Sequence, residues 1–246
     1  MLERAYSLSQ EERSRLAEAV RAAFAVPFLA DVEGYIWEAV FHYVKGLAMP
    51  DPVLVGRRKL LFDAVSDDGR GWSLKTLLWR HLGVGASYEF VVQRADIFKK
   101  AAYFGFPAGL DAQSSPADLG CALIRHWNQK FEQDSIRQGV TDPRVSMLLK
   151  SLARDRFTYV EYAYPPLDED EFEWRWTDSN HVGLQGFHGG KVRVKWYHGQ
   201  KQMFEVQQVP ESAFFFEVEW DRCEAGLFCS TMLGLAPPAG GAPKLL

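Results

Sequence analysis

Hydrophobic positions fall in blocks whose spacing changes along the chain. Leu16, Val20 and Phe24 recur every four residues behind a capping box, Ser9-Gln10-Glu11-Glu12, which predicts a first helix running to about Ala25. In "VEGYIWEAVFHYVKGL" Tyr35, Ile36, Ala39, Val40, Tyr43, Val44 and Leu47 form one broad apolar face, with Glu38 beside it. This predicts a second helix capped by Asp31 and stopped by Pro50 and Pro52. The period then drops to two. "KLLFDAV" and "WSLKTLL" flank the Asp-Gly turn "SDDGRG" and read as a hairpin. "YEFVVQ" reads as a strand and "RADIFKKAAYF" as a helix. Ser115-Pro116 opens a long helix with Leu119, Leu123, Ile124, Trp127 and Phe131 inward. "RVSMLLKSL" fits strand or helix, and "FTYVEYAY" fits a strand. After "PPLDEDEFEWRW" the pattern is mostly β, with a hairpin turning at His198-Gly199 and a last strand in "SAFFFEVEW".

This order predicts an α/β protein: a mixed central sheet flanked by helices over residues 1–165, a β-rich elaboration over 166–236, and a tail over 237–246. Apolar residues make up 47% of the 246 and charged residues 24%, enough for a substantial core. The formal charge is −4, so a polyphosphate partner would have to be met by a local basic patch. Cys121, Cys223 and Cys229 show neither metal spacing nor a disulfide framework. With a charged first segment, they suit a reducing cytoplasm. No stretch approaches the roughly 18 apolar residues of a membrane span.

The hairpin is where the chemistry gathers. It brings Asp63 toward the returning strand, on which Ser73 and Lys75 share a face and Leu74 points the other way. A carboxylate able to bind a hard divalent cation, beside a lysine able to orient water, is the minimum for metal-assisted phosphodiester hydrolysis. A second carboxylate is needed to hold magnesium well. Glu38, from the preceding helix, and Glu89, from the following strand, are the two choices.

These residues, Glu38, Asp63 and Ser73-Leu74-Lys75-Thr76, resemble the PD-(D/E)xK nuclease superfamily over about residues 33–93. The chain departs from the pattern in having Phe62 before Asp63 and Ser73 in place of the middle acid. Residues 76–88 separate Lys75 from Glu89. That interval resembles a group of type II restriction enzymes that carry Ser-x-Lys and take the missing carboxylate from a later Glu. Gln93 resembles a glutamine found after the lysine in some members. The resemblance implies a Mg2+-dependent endonuclease acting on double-stranded DNA, with Asp63 and either Glu38 or Glu89 as metal ligands. It further implies Lys75 positioning water, Ser73 supporting the site, and a two-fold homodimer.

Other readings stand beside this one. A degenerate nuclease fold could bind DNA or a partner without cutting, and Ser73-x-Lys75 could be a serine–lysine hydrolase pair. An Asp-Gly hairpin with a solvated lysine needs no function at all, and Glu38 could simply pair with His42 one turn on. The six histidines have no zinc-site spacing. In the C-terminal third Lys191, Arg193 and Lys195 alternate with apolar residues. They could lie along phosphates, with Gln200, Lys201 and Gln202 reading base edges, or could protect an edge strand from pairing.

Overall fold

The structure is a computed structural model that describes residues 4–49, 60–219 and 222–232. Pro50, Pro52, the beginning of the expected strand at Lys59, and the tail 237–246 lie outside the described residues. The elements are β1 (Ala5–Tyr6), α1 (Gln10–Ala25), α2 (Tyr35–Lys45), β2 (Ala64–Val65), β3 (Arg70–Leu78) and β4 (Ser87–Arg94). After them come α3 (Ile97–Lys100), α4 (Pro116–Gln138), β5 (Asp142–Lys150), β6 (Arg156–Ala163), β7 (Glu173–Trp176), β8 (Gly183–His188), β9 (Lys191–Tyr197), β10 (Gln202–Gln208), β11 (Phe214–Glu217) and α5 (Ala225–Met232).

The fold is mixed α/β with two sheets. The first has the order β1-β6-β5-β3-β2, with β11 also on β6. Its β3 and β5 run parallel, joined through a crossover that contains β4, α3 and α4, while β2 is antiparallel to β3. The second sheet, β4-β10-β9-β8-β7, is antiparallel throughout. Strand pairing crosses the division expected near residue 165 in both directions. β4 pairs with β10, and β11 returns to β6.

Alternation along the first sheet explains its two apolar faces. Trp72 and Leu74 of β3 and Phe157 and Tyr159 of β6 meet Leu16, Val20 and Phe24 of α1 and Trp37, Phe41 and Val44 of α2. On the other face Val145, Met147 and Leu149 of β5 meet Leu119, Leu123, Trp127 and Phe131 of α4. This second core continues into Tyr88, Phe90, Trp196 and Met203 of the second sheet. The layers are therefore α1/α2, first sheet, then α4 with the second sheet.

Several local expectations hold. Ser9 forms the full capping box of α1, and Ser115 caps α4 with Pro116 at its first position. The Asp-Gly turn holds Gly69 at a φ of 83°, and a Cβ there would stand 2.5 Å from Thr141 Oγ1. The ambiguous "RVSMLLKSL" is the central strand β5, because its β-branched and long apolar residues are buried on both faces.

Other expectations are corrected. Asp31 does not cap α2. Gly34 takes that position, and Asp31 instead accepts from Lys150 Nζ (2.8 Å) and Arg154 Nε (2.9 Å). Helix α3 is only four residues long and passes into a 3-10 turn at Ala101–Phe104. Strand β9 is not an edge strand, since it lies between β10 and β8; its basic residues cannot be there to block edge pairing.

A close contact fixes the second sheet to α4. Gly120 lies under the indole of Trp174 from β7, and a Cβ on it would stand 2.0 Å from the ring. Gly120→Ala is expected to destabilise the protein by about 1–3 kcal/mol, the usual cost of overpacking, despite alanine's higher helix propensity. Urea unfolding followed by tryptophan fluorescence measures it.

A buried ionic cluster lies on the opposite face. Glu161 of β6 is 1% exposed. Its Oε1 accepts from Trp72 Nε1 (2.9 Å) and Arg144 Nη1 (2.8 Å). Its Oε2 accepts from Tyr159 Oη (2.6 Å) and pairs with Lys45 Nζ (3.0 Å) of α2. Lys45 also pairs with Glu12 of α1, and Arg144 with Asp142. One carboxylate thus ties α2, β3, β5 and β6 together.

Candidate active site

The site begins where β2 leaves the sheet. Asp63 N–H still donates to Trp72 O (2.8 Å), but the next amide of β3, Leu74 N–H, donates to the Asp63 carboxylate at Oδ2 (2.7 Å). The side chain substitutes for a main-chain acceptor, so the ladder ends there. Phe62 instead exchanges both main-chain groups with the amide of Gln138 at the end of α4. Its N–H donates to Oε1 (3.2 Å), and its carbonyl accepts from Nε2 (2.8 Å). This explains why the expected strand from Lys59 is reduced to Ala64–Val65, and it holds Asp63 firmly at the sheet margin.

Helix α2 supplies the other side of the site. His42 is buried, with Nδ1 2.9 Å from Ala48 O and Nε2 3.5 Å from Asp63 O, so it connects the helix end to the aspartate's main chain. Asp63 is held above the ordinary carboxylate range. Burial is the main cause, and the negative charge of Glu38 adds to it. The Lys75 ammonium, the Leu74 amide and the His42 ring pull the other way without cancelling the shift. Glu38, Lys75 and His42 are therefore each close enough to act electrostatically on Asp63.

Glu38 and Lys75 are not committed to ion pairs among the described residues. Among the described residues, neither Glu38 nor Lys75 makes an ion pair or side-chain hydrogen bond, whereas Lys45, Lys150, Lys195 and Lys201 all do. Glu38 does not pair with His42, and Lys75, half-buried within β3, makes no side-chain hydrogen bond among the described residues. Among the described residues the fully buried lysine is Lys150, which is satisfied by Asp31 and by Val32 O (2.9 Å).

Other expected site residues lie elsewhere. Ser73 is 0% exposed on the α4-facing side of β3, and its hydroxyl has no hydrogen-bond partner among the described residues. A nucleophile closed off from solvent cannot serve a serine–lysine hydrolase, so that reading is set aside. Glu89 is on β4 in the second sheet, paired with Lys195 Nζ (2.6 Å). Gln93, on the same strand, is buried with its amide nitrogen on Met203 Sδ (3.9 Å). The strand pattern that put Glu89 on a strand was right, but that strand pairs with β10 rather than with β3. Arg193 reaches Glu205 (3.5 Å), and Lys201 pairs with Asp96 (2.7 Å). Gln200 is in the exposed β9–β10 turn, and Gln202 begins β10. Lys191 has no partner among the described residues.

Among the described residues no three His, Cys, Asp or Glu side chains gather as a metal cage. Mg2+ is commonly held by one or two carboxylates, with water and substrate phosphate completing its shell, and Asp63 with Glu38 offers that oxygen-only set. Sequence reasoning missed Gln138 and the role of His42. Gln138 is far from Phe62 in sequence, and nothing in a single chain marks that pairing.

No family model, no curated protein and no solved structure matches this chain. Among the described residues no helix is long and apolar enough to cross a membrane.

Proposed function

We propose that this protein is a Mg2+-dependent endonuclease that hydrolyses phosphodiester bonds of double-stranded DNA, built on a PD-(D/E)xK-like hairpin. The observation that carries the reading is the group at the margin of β2. A rigidly held, buried Asp63 is faced by Glu38 and Lys75, two charged residues with no structural partner. Charged side chains that stabilise a fold are normally paired, as Lys45, Lys150 and Glu161 are here. Burying Asp63 and placing the Glu38 anion near it costs stability, which a functional site accounts for.

Asp63 and Glu38 would hold the metal. Bound Mg2+ would supply Lewis-acid polarisation of the scissile phosphate and lower the pKa of a bound water. Lys75 would hydrogen-bond the attacking water and offset negative charge developing on the phosphoryl oxygens. The Leu74 amide fixes the Asp63 carboxylate so that one oxygen remains for this work. Ser73, wholly buried, would shape the strand beneath the site without touching substrate. A two-fold dimer would present one such group to each DNA strand.

The test uses pooled, amplified DNA of mixed base composition, since the recognition sequence is not known. With Mg2+, wild type is expected to cut. Glu38→Gln and Lys75→Ala should lose about 10²–10³-fold, the usual cost of removing one group that stabilises developing charge. Glu89→Gln, which breaks only an ion pair on the second sheet, should retain activity. Loss in Glu89→Gln with full activity in Glu38→Gln would refute the assignment. A degenerate, non-cutting binder remains the second reading, favoured by the missing acid at Ser73; it predicts DNA binding with no cleavage at any Mg2+ concentration.

A further inference from the structure

We propose that the groove between the two sheets is a binding site for a single nucleotide unit, distinct from the Asp63 group. The groove encloses about 940 Å3, within the range of small-molecule sites and far more than an inorganic anion fills. None of Glu38, Asp63, Ser73 or Lys75 lines it. One wall is β9, carrying Lys191, Arg193 and Lys195. The lining also includes the apolar residues Val84, Val209 and Pro210 and, from the first sheet, Tyr162.

The polar groups in this groove are unequally committed. Arg193 is held by Glu205, and Lys195 by Glu89. Tyr162 Oη donates to Gln208 O, and the Gln207 amide donates to Glu205 Oε1 (2.6 Å). These contacts make a stiff floor in which the positive charges are balanced. Lys191 and Gln185, by contrast, have no partner among the described residues, and Ser212 Oγ is buried without one. Glu211 stands exposed on the rim.

The unsatisfied set includes the Lys191 ammonium, the Gln185 amide, the Ser212 hydroxyl and the Glu211 carboxylate, beside apolar lining residues. A phosphoryl group answers Lys191. A flat body with a hydrogen-bonding edge answers Gln185, Ser212 and Glu211, and the valines and proline would cover its faces. A nucleotide has all three parts. It could be a free mononucleotide or a nucleotide extruded from a duplex, and the experiment separates these sources. The inference does not rest on the hydrolytic reading of Asp63.

Calorimetric titration of the full-length protein with AMP, GMP, CMP, UMP and inorganic phosphate, and with a short duplex carrying one extrahelical nucleotide against its fully paired control, tests it. The expected result is binding of at least one mononucleotide, or preference for the extrahelical duplex over its control. That binding should weaken tenfold or more in both Lys191→Ala and Gln185→Ala. Both residues are on a solvent-facing groove wall, and circular dichroism checks that the variants fold. Lys75→Ala should bind as wild type does, which separates this site from the nuclease reading. Mononucleotide binding alone identifies a free ligand, and duplex preference alone an extruded one. The proposal is overturned by no binding of any nucleotide probe, by inorganic phosphate binding as well as the nucleotides, or by binding indifferent to Lys191→Ala.

Discussion

Glu161→Gln lowers the midpoint of thermal unfolding by roughly 6–12 °C, given about 2–4 °C per kcal/mol for a chain of this size. The expected loss is about 3 kcal/mol, the low end for breaking a buried ion pair. Glutamine keeps the shape but loses the charge that faces Lys45 and Arg144. Its NH2 group would also point at a donor, whichever way the amide is turned, because all four neighbours of Glu161 donate to it. The loss is not larger because Lys45 retains Glu12 and Arg144 retains Asp142. The pH dependence follows from the carboxyl itself. Burial pushes Glu161 up, but Lys45, Tyr159, Arg144 and Trp72 together hold it below its ordinary value of 4.5. Its contribution is therefore present in full above that value and is lost as pH falls through the lower, folded value. The gap between wild type and variant should be widest near neutrality and close in acid. Thermal scans of both proteins from pH 7 to pH 3 measure it.

Asp63→Asn is expected to abolish DNA cleavage while making the protein more stable. The activity loss, about 10³-fold or more, is what the proposed role of Asp63 as principal metal ligand predicts. The gain in stability has the opposite sign from that of Glu161 because the carboxyl is held up rather than down. Burial and Glu38 disfavour its charge more than Lys75, Leu74 N–H and His42 favour it. The folded state thus loses stability as pH rises from the ordinary 3.8 through the raised folded value, and asparagine avoids that loss. The amide oxygen can still accept from Leu74 N–H, so the ladder end survives. Chemical denaturation at pH 7 should give a higher midpoint for the variant, with the two proteins converging near pH 3.5 to 4. An aspartate with only a structural role would show the reverse: lower stability on substitution, with no change in cleavage.

Much of the fold was legible because local chemistry and tertiary packing agree. The capping box at Ser9, the Ser115-Pro116 start and the Gly69 turn each encode their geometry within a few residues. The failures have a common cause in long-range partners. Asp31 reads as a cap until Lys150 and Arg154 claim it from β5 and its following loop. Leu60–Asp63 reads as strand until Gln138 draws the Phe62 main chain away from the ladder. The proximity of Lys75 and Glu38 to Asp63 could be read because a hairpin and the preceding helix bring near neighbours together. Glu89 could not be assigned, since its sheet is decided by β10, more than a hundred residues later. The basic stripe of β9 shows the same limit. Alternation correctly put three cations on one strand, but which of them carries a free charge depended on Glu205 and Glu89.

The most direct measurement of the central claim is the length distribution of pooled, amplified DNA after incubation with the wild-type protein in Mg2+ and in EDTA. Discrete fragments in Mg2+ and intact DNA in EDTA are the predicted result. Intact DNA in both, from protein shown to be folded and across a range of Mg2+ concentrations, would contradict it.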